Sequence, residues 1–143
     1  MGTPTAYDRP LPLLTGMTQG LTQAFYGFCR IGELRFQRCT ACGTWRHVPR
    51  PMCPGCGSWN FEWAKSAGRG RLFTWTVACR PMHPAFTELP YAPAVIELDE
   101  GVRMVSTIVD WPPADLRRGL RVRVVFDAVT DTVTLPRFER DTE

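Results

Sequence analysis

The chain has 143 residues, of which 44% are hydrophobic and 22% charged, with a formal net charge of +3. That length and apolar content suffice for the core of one ordinary domain or two very small ones and exclude a disordered chain. No apolar run approaches the roughly 18 to 20 residues of a spanning helix, and no basic segment followed by an apolar stretch opens the chain, so a cytoplasmic protein is expected.

Residues 1–16 contain Pro4, Pro10 and Pro12 with few periodic apolar positions, which predicts an extended arm. Residues 18–30 place Leu21, Phe25 and Phe28 at helical spacing, with Thr18 or Thr22 available as the cap and Gly32 as the stop. A strand over residues 33–38, with Leu34 and Phe36 on one face, then runs directly into a cysteine pair. Trp59, Phe61 and Trp63 alternate on a closing strand, and Gly68 to Gly70 read as a flexible joint between modules. Beyond it, strands are predicted over residues 72–79, 94–99, 102–109, 120–126 and 132–138, with a short helix over 114–118 started by Pro112 and Pro113 and stopped by Gly119. Five strands with a small helix after the third is the order of an OB-fold barrel. The expected architecture is mainly β: an N-terminal arm and helix over 1–36, a rubredoxin-like zinc ribbon over 37–67, and a five-stranded OB-fold over 68–143.

The zinc assignment rests on Cys39, Cys42, Cys53 and Cys56, arranged as Cys-Thr-Ala-Cys-Gly and Cys-Pro-Gly-Cys-Gly. Two residues between cysteines let one tight turn present both thiolates to a single ion, and the glycine after each pair relieves the backbone where it folds back. Four thiolates around zinc leave no open coordination position, so the expected role is structural. Iron in an electron carrier is the chemical competitor, since ligand type alone does not exclude it. Deprotonated ligands and the ion together would lower the net charge to about +1, a weak footprint for nucleic acid.

Cys29 and Cys79 fall in the predicted helix and first barrel strand, where small buried thiols are common. His47 and His83 form no visible acid/base set, and no phosphate loop, nucleophile elbow or carboxylate pair is present. Read alone, the chain looks like a non-catalyst.

The order of parts resembles the family of acyl-CoA-associated proteins with a rubredoxin-like zinc ribbon and an OB-fold. The resemblance is carried by Gly32-Glu33-Leu34-Arg35-Phe36-Gln37-Arg38-Cys39, Pro49-Arg50-Pro51-Met52-Cys53-Pro54, the stretch from Gly68 to Val77, the stretch from Pro90 to Gly101, and Gly119-Leu120-Arg121-Val122. It implies an accessory subunit of a thiolase-fold enzyme (a thiolase, retro-aldolase or acyltransferase) that holds its partner in an active arrangement and helps shape the channel for CoA. The ending Val133-Thr134-Leu135-Pro136-Arg137-Phe138 looks most like members paired with thiolases or aldolases of aromatic and steroid side-chain degradation. CoA thioester would then be a ligand shared with that partner.

Candidate contacts are suggested by side-chain chemistry. The loop over residues 80–93, with His83, Phe86 and Tyr91, occupies a usual ligand position of OB folds and suits an acyl or pantetheine chain, or simply packs on the barrel mouth. Arg46, Arg50, Arg69 and Arg71 could meet CoA phosphates, or stand as solvated surface arginines. Phe25, Tyr26 and Phe28 could dock on a partner, or cover the core. Two other readings compete: a single-strand nucleic-acid module, against which the second and third barrel strands carry no aromatic platform, and a stand-alone acyl-CoA binder.

Overall fold

A computed structural model of the protein describes residues 20–82, 84 and 88–142. The expected arm over 1–16 lies outside the described residues. Helix α1 spans Gly20–Arg30 and buries Phe25 and Cys29, one turn apart on the same face. Thr22 lies inside this helix rather than at its cap. The end is closed by Gly32 at φ 77°, with Gly32 N–H bonding Cys29 O (3.0 Å) and Glu33 N–H bonding Phe28 O (3.0 Å). This paired arrangement needs a left-handed residue, which glycine supplies without strain.

A small sheet comes next, made of β1 (Arg35–Cys39), β2 (Trp45–Arg46) and β3 (Phe61–Lys65), in the order β2-β1-β3 and antiparallel throughout. Trp59, predicted on the closing strand, lies before β3 and is 68% exposed. The larger sheet comprises β4 (Arg69–Trp75), β5 (Pro93–Leu98), β6 (Arg103–Thr107), β7 (Arg121–Ala128) and β8 (Thr134–Arg140), ordered β6-β5-β4-β7-β8. Its two edges meet at one parallel bridge, Ile108 to Phe138, with Val109 N–H donating to Phe138 O at 2.7 Å. The sheet therefore curls into a partly open OB barrel. Alternation selects its interior: along β5, Ala94, Ile96 and Leu98 are buried while their neighbours are half-buried. They join Leu72, Met104, Val122 and Phe138 in a core that continues through Phe25, Cys29, Leu34 and Phe36. Each large apolar side chain so buried contributes about 1.5 to 3 kcal/mol.

Three expectations are corrected here. The first barrel strand, predicted over 72–79, runs from Arg69 to Trp75, with a bulge between Leu72 and Thr74. Cys79 consequently sits beyond the strand and is exposed, whereas Cys29 is buried as expected. The joint at Gly68 to Gly70 is hydrogen-bonded and packed rather than a free linker. Ser66 Oγ donates to Glu100 Oε1 (2.5 Å), Ala67 N–H donates to Glu100 Oε2 (3.1 Å), and Val124 N–H bonds Gly68 O (2.7 Å). Gly70 lies inside β4, where a Cβ would collide with the carbonyl group of Glu97, so glycine here serves close packing rather than freedom. The helix predicted over 114–118 is a single 3-10 turn, Pro113–Asp115, because Leu116 is already extended and buried.

Candidate metal centre and adjoining groove

The two cysteine pairs form matching turns. Gly43 N–H bonds Cys39 O (2.8 Å) and Gly57 N–H bonds Cys53 O (2.9 Å), while Cys39 N–H reaches Thr44 O (2.9 Å) and Cys53 N–H reaches Ser58 O (2.8 Å). Gly43 and Gly57 adopt φ of 78° and 79°, the left-handed conformation that lets each chain reverse beneath its sulfurs. The Sγ atoms of Cys39, Cys42, Cys53 and Cys56 lie within 4.8 Å of one another.

The donor chemistry fits a thiophilic divalent ion. The hydrogen bond between Cys42 Sγ and the Thr44 hydroxyl (3.1 Å), and then the Thr44 backbone N–H, lower the Cys42 pKa to about 6. Cys56 is favoured as a thiolate by the Ser58 backbone N–H, yet its sulfur neighbours Cys39 and Cys42 hold it up at about 11. Without a cation such a cluster cannot carry four negative charges, and a tetrahedral Zn2+ removes that conflict. Cys39 and Cys53 are buried and Cys42 and Cys56 exposed, so the site stands at the surface of the ribbon.

Below the sulfurs the ribbon is organised by one carbonyl. Arg50 O accepts from Gln37 Nε2 (2.9 Å) and from Arg46 Nε (3.1 Å) and Nη2 (3.0 Å), and Arg50 N–H donates to Gln37 Oε1 (2.7 Å). Arg46 is 4% exposed, with its guanidinium over the Phe61 ring at 5.1 Å. It is thus committed to the ribbon interior, in place of the phosphate contact considered for it. Of the other arginines considered, Arg50 is exposed, Arg69 stands 3.8 Å from Asp141, and Arg71 pairs with Glu97 at 2.6 Å.

A groove of about 700 Å³ runs between this module and the barrel. One wall is Phe25, Tyr26 and His47; the other is β6 and the loop after it, with Leu135 to Arg137 on β8 and Tyr91 at the mouth. A side hollow of about 360 Å³ adds Thr22, Val48, Pro49 and Val95. His47 lies tilted against Phe25 (4.8 Å) and edge-on to Phe36 (5.1 Å), and burial lowers its pKa to about 4, so the ring is neutral at pH 7. Tyr91 is half-buried, its backbone bridging Ala78 in both directions (2.8 and 3.1 Å).

Of the aromatic residues considered for docking, Phe25 is only 2% exposed and serves the core. Tyr26 is half-buried on the groove, and Phe28 is half-buried beside Trp63 at 5.6 Å with the Arg35 guanidinium over its ring. His83 and Phe86 lie outside the described residues. Sequence reading missed the groove itself, because its walls come from five separated segments. Pro136, at a strand edge, is the one local signal that the barrel fails to close there.

Comparison with known proteins places these features in a family. Residues 28–62 match the model described as "ChsH2, rubredoxin-like zinc ribbon domain", and residues 63–127 match "ChsH2, C-terminal OB-fold domain". A "DUF35 domain-containing scaffold protein" of Methanocaldococcus jannaschii is 35% identical over 105 residues, covering 73% of this chain and 72% of that protein. A "Probable enoyl-CoA hydratase alpha subunit" of Thermomonospora curvata is 42% identical over 106 residues, covering 74% of this chain. The match spans only 33% of that longer protein. A solved structure described as "Ltp2-ChsH2(DUF35) aldolase" aligns with TM-score 0.77 and 37% identity, covering 82% of this chain and 92% of that one. The chain belongs to the ChsH2-type DUF35 family, in which a rubredoxin-like zinc ribbon leads into an OB fold.

Proposed function

We propose that this chain is the non-catalytic accessory subunit of a thiolase-fold enzyme acting on acyl-CoA, of thiolase, retro-aldolase or acyltransferase type, working in the cytoplasm. The observation that carries the reading is the 37% identity, over 92% of its length, to a chain described as part of an aldolase. Chemistry within the chain agrees. The four-thiolate site would hold zinc with no position open for substrate, and the neutral His47 has rings rather than acid/base partners around it. The residues that break or make bonds then belong to the partner.

In this reading the zinc fixes the ribbon, the ribbon and α1 form one wall of the groove, and the barrel forms the other. The Tyr91 end of the groove, with Ile108 and Leu135, offers an apolar lining suited to an acyl or pantetheine chain shared with the partner. Arg50, exposed on the ribbon, remains a candidate for CoA phosphate.

The test is co-expression with a thiolase-fold protein encoded beside it. Expected are a hetero-oligomer on size exclusion and acyl-CoA carbon–carbon cleavage or formation that needs both chains. A chain that stays monomeric and leaves the partner's activity unchanged overturns the reading. The hydratase relative supports a second possibility, a hydratase partner. Hydration of an enoyl-CoA by the co-purified complex, with no carbon–carbon cleavage, would select it.

A further inference from the structure

Strand β6 is an edge strand with a definite hydrogen-bonding parity. The hairpin bond from Leu98 N–H to Val102 O (2.9 Å) and the register Ile96 to Met104 and Ala94 to Ser106 turn the peptide groups of Met104 and Ser106 toward β5. The N–H and C=O groups of Arg103 and Val105, and the Thr107 N–H, therefore point the other way. Pro93, which has no N–H to donate, stands opposite Thr107, in keeping with that parity.

Across the seam, β8 is not a ladder neighbour of β6. Beyond the Ile108 to Phe138 bridge, the next rung would require Pro136 to donate to the Val105 carbonyl, and proline has no N–H. Instead the Ser106 hydroxyl donates to Pro136 O at 2.8 Å. Among the described residues β5 is the one ladder neighbour of β6, so the peptide groups of Arg103 and Val105 face away from the sheet, while Val105 is 74% exposed beside the hollow lined by Val48 and Val95.

Charge gathers beside one end of this edge, over Phe73 on β4. The guanidinium groups of Arg103 and Arg118 lie over the Phe73 ring, at 3.8 and 4.8 Å. Glu97 is shared between Arg103 (3.0 Å) and Arg71 (2.6 Å), which leaves Arg118 with no carboxylate among the described residues. The edge thus combines outward-facing backbone donors and acceptors and an apolar side-chain position, with positive charge close by.

We propose that this edge accepts an extended segment of the partner subunit, which adds to β6 as a further strand and places a carboxylate against Arg103 and Arg118. An acyl chain offers no alternating N–H and C=O groups to match the edge, whereas a peptide strand does; main-chain bonds give affinity and the side-chain positions give register. The segment fills the side hollow at Val48 and Val105 and leaves the groove near Tyr91 to the acyl group. The proposal rests on the accessory-subunit reading.

The experiment uses the full chain, free and co-purified with the thiolase-fold protein encoded beside it. Backbone amide exchange at Val105 is expected to slow by about tenfold or more in the complex. Val105→Pro removes only an outward N–H, so the free chain should keep its circular dichroism and melting temperature while affinity falls about tenfold or more. Arg118→Glu should weaken binding about three- to tenfold, most at low salt. If the complex assembles but the Val105 amide exchanges as in the free chain, the docking proposal is overturned and the subunit reading stands. Formation of no complex overturns both. Should Val105→Pro not fold, amide exchange in the unaltered chain gives the answer.

Discussion

The ribbon and the barrel solve the same problem, holding a small sheet together, with opposite chemistry. In the barrel the interior is apolar: Leu72, Ile96, Leu98, Val122 and Phe138 are each at most 2% exposed, and they share one core with Phe25, Leu34 and Phe36. In the ribbon the interior around Gln37 and Arg46 is polar, tied to the single carbonyl of Arg50, and the turns are fastened through four sulfurs. A three-stranded sheet of this size buries too little apolar surface to offset its chain entropy, so the metal supplies what the core does not. The contrast invites an experiment on whether the two modules separate.

The largest effect is expected from removing the ion. Structural zinc is worth roughly 10 to 16 kcal/mol in finger peptides. Cys53→Ala should lose the single equivalent of zinc found by metal analysis and unfold residues 35–65, while amide protection persists in β4 to β8. Retention of one zinc with unchanged melting would refute the assignment. Loss of barrel protection as well would show that the two modules are not separable.

Next comes the joint. Gly70→Val forces side-chain atoms onto the Glu97 carbonyl, a backbone group that cannot step aside. A loss of about 3 kcal/mol or more is expected on urea unfolding of the barrel. Equal stability would mean that β4 and β5 can part without cost.

A comparable effect, dependent on pH, is expected from His47. Burial lowers its folded pKa from 6.5 to about 4, so on acidification the unfolded chain takes up the proton first. Stability on this account is whole above pH 6.5 and is lost as pH falls from about 6.5 to about 4, by up to about 3 kcal/mol. His47→Phe should flatten unfolding free energy across that window. If the slope remains, other groups carry it.

The smallest of the four comes from Glu100, whose carboxylate accepts from Ser66 and Ala67 at the junction. Glu100→Gln keeps the shape but weakens a charge-assisted pair of bonds. A loss of about 1 to 2 kcal/mol is expected, seen as earlier exchange of the Ala67 amide while β5 and β7 stay protected.

How much of the molecule is legible in its sequence varies with the range of the interaction involved. The cysteine turns are readable because spacing and the glycine after each pair act within five residues, and the structure forms both turns alike. The strand order is readable from alternation, but strand ends are not. β4 stops at Trp75 and leaves Cys79 exposed, although β-forming residues run on through Val77. Gly68 and Gly70 look like a joint because glycine is free in isolation. Only the approach of Val124 and Glu97 shows that they are there for contact.

The sequence by itself therefore determined the metal-ligand set, the helix and its glycine stop, and the β character of the chain beyond that stop, since each depends on neighbours along the chain. Tertiary structure alone decided that Phe25 and Arg46 turn inward, that α1 and the ribbon wall a groove, and that the barrel stays open at β6. Those outcomes depend on which surfaces meet: Arg46 finds the Arg50 carbonyl, and Val105 faces a proline 31 positions further on that has no hydrogen to give.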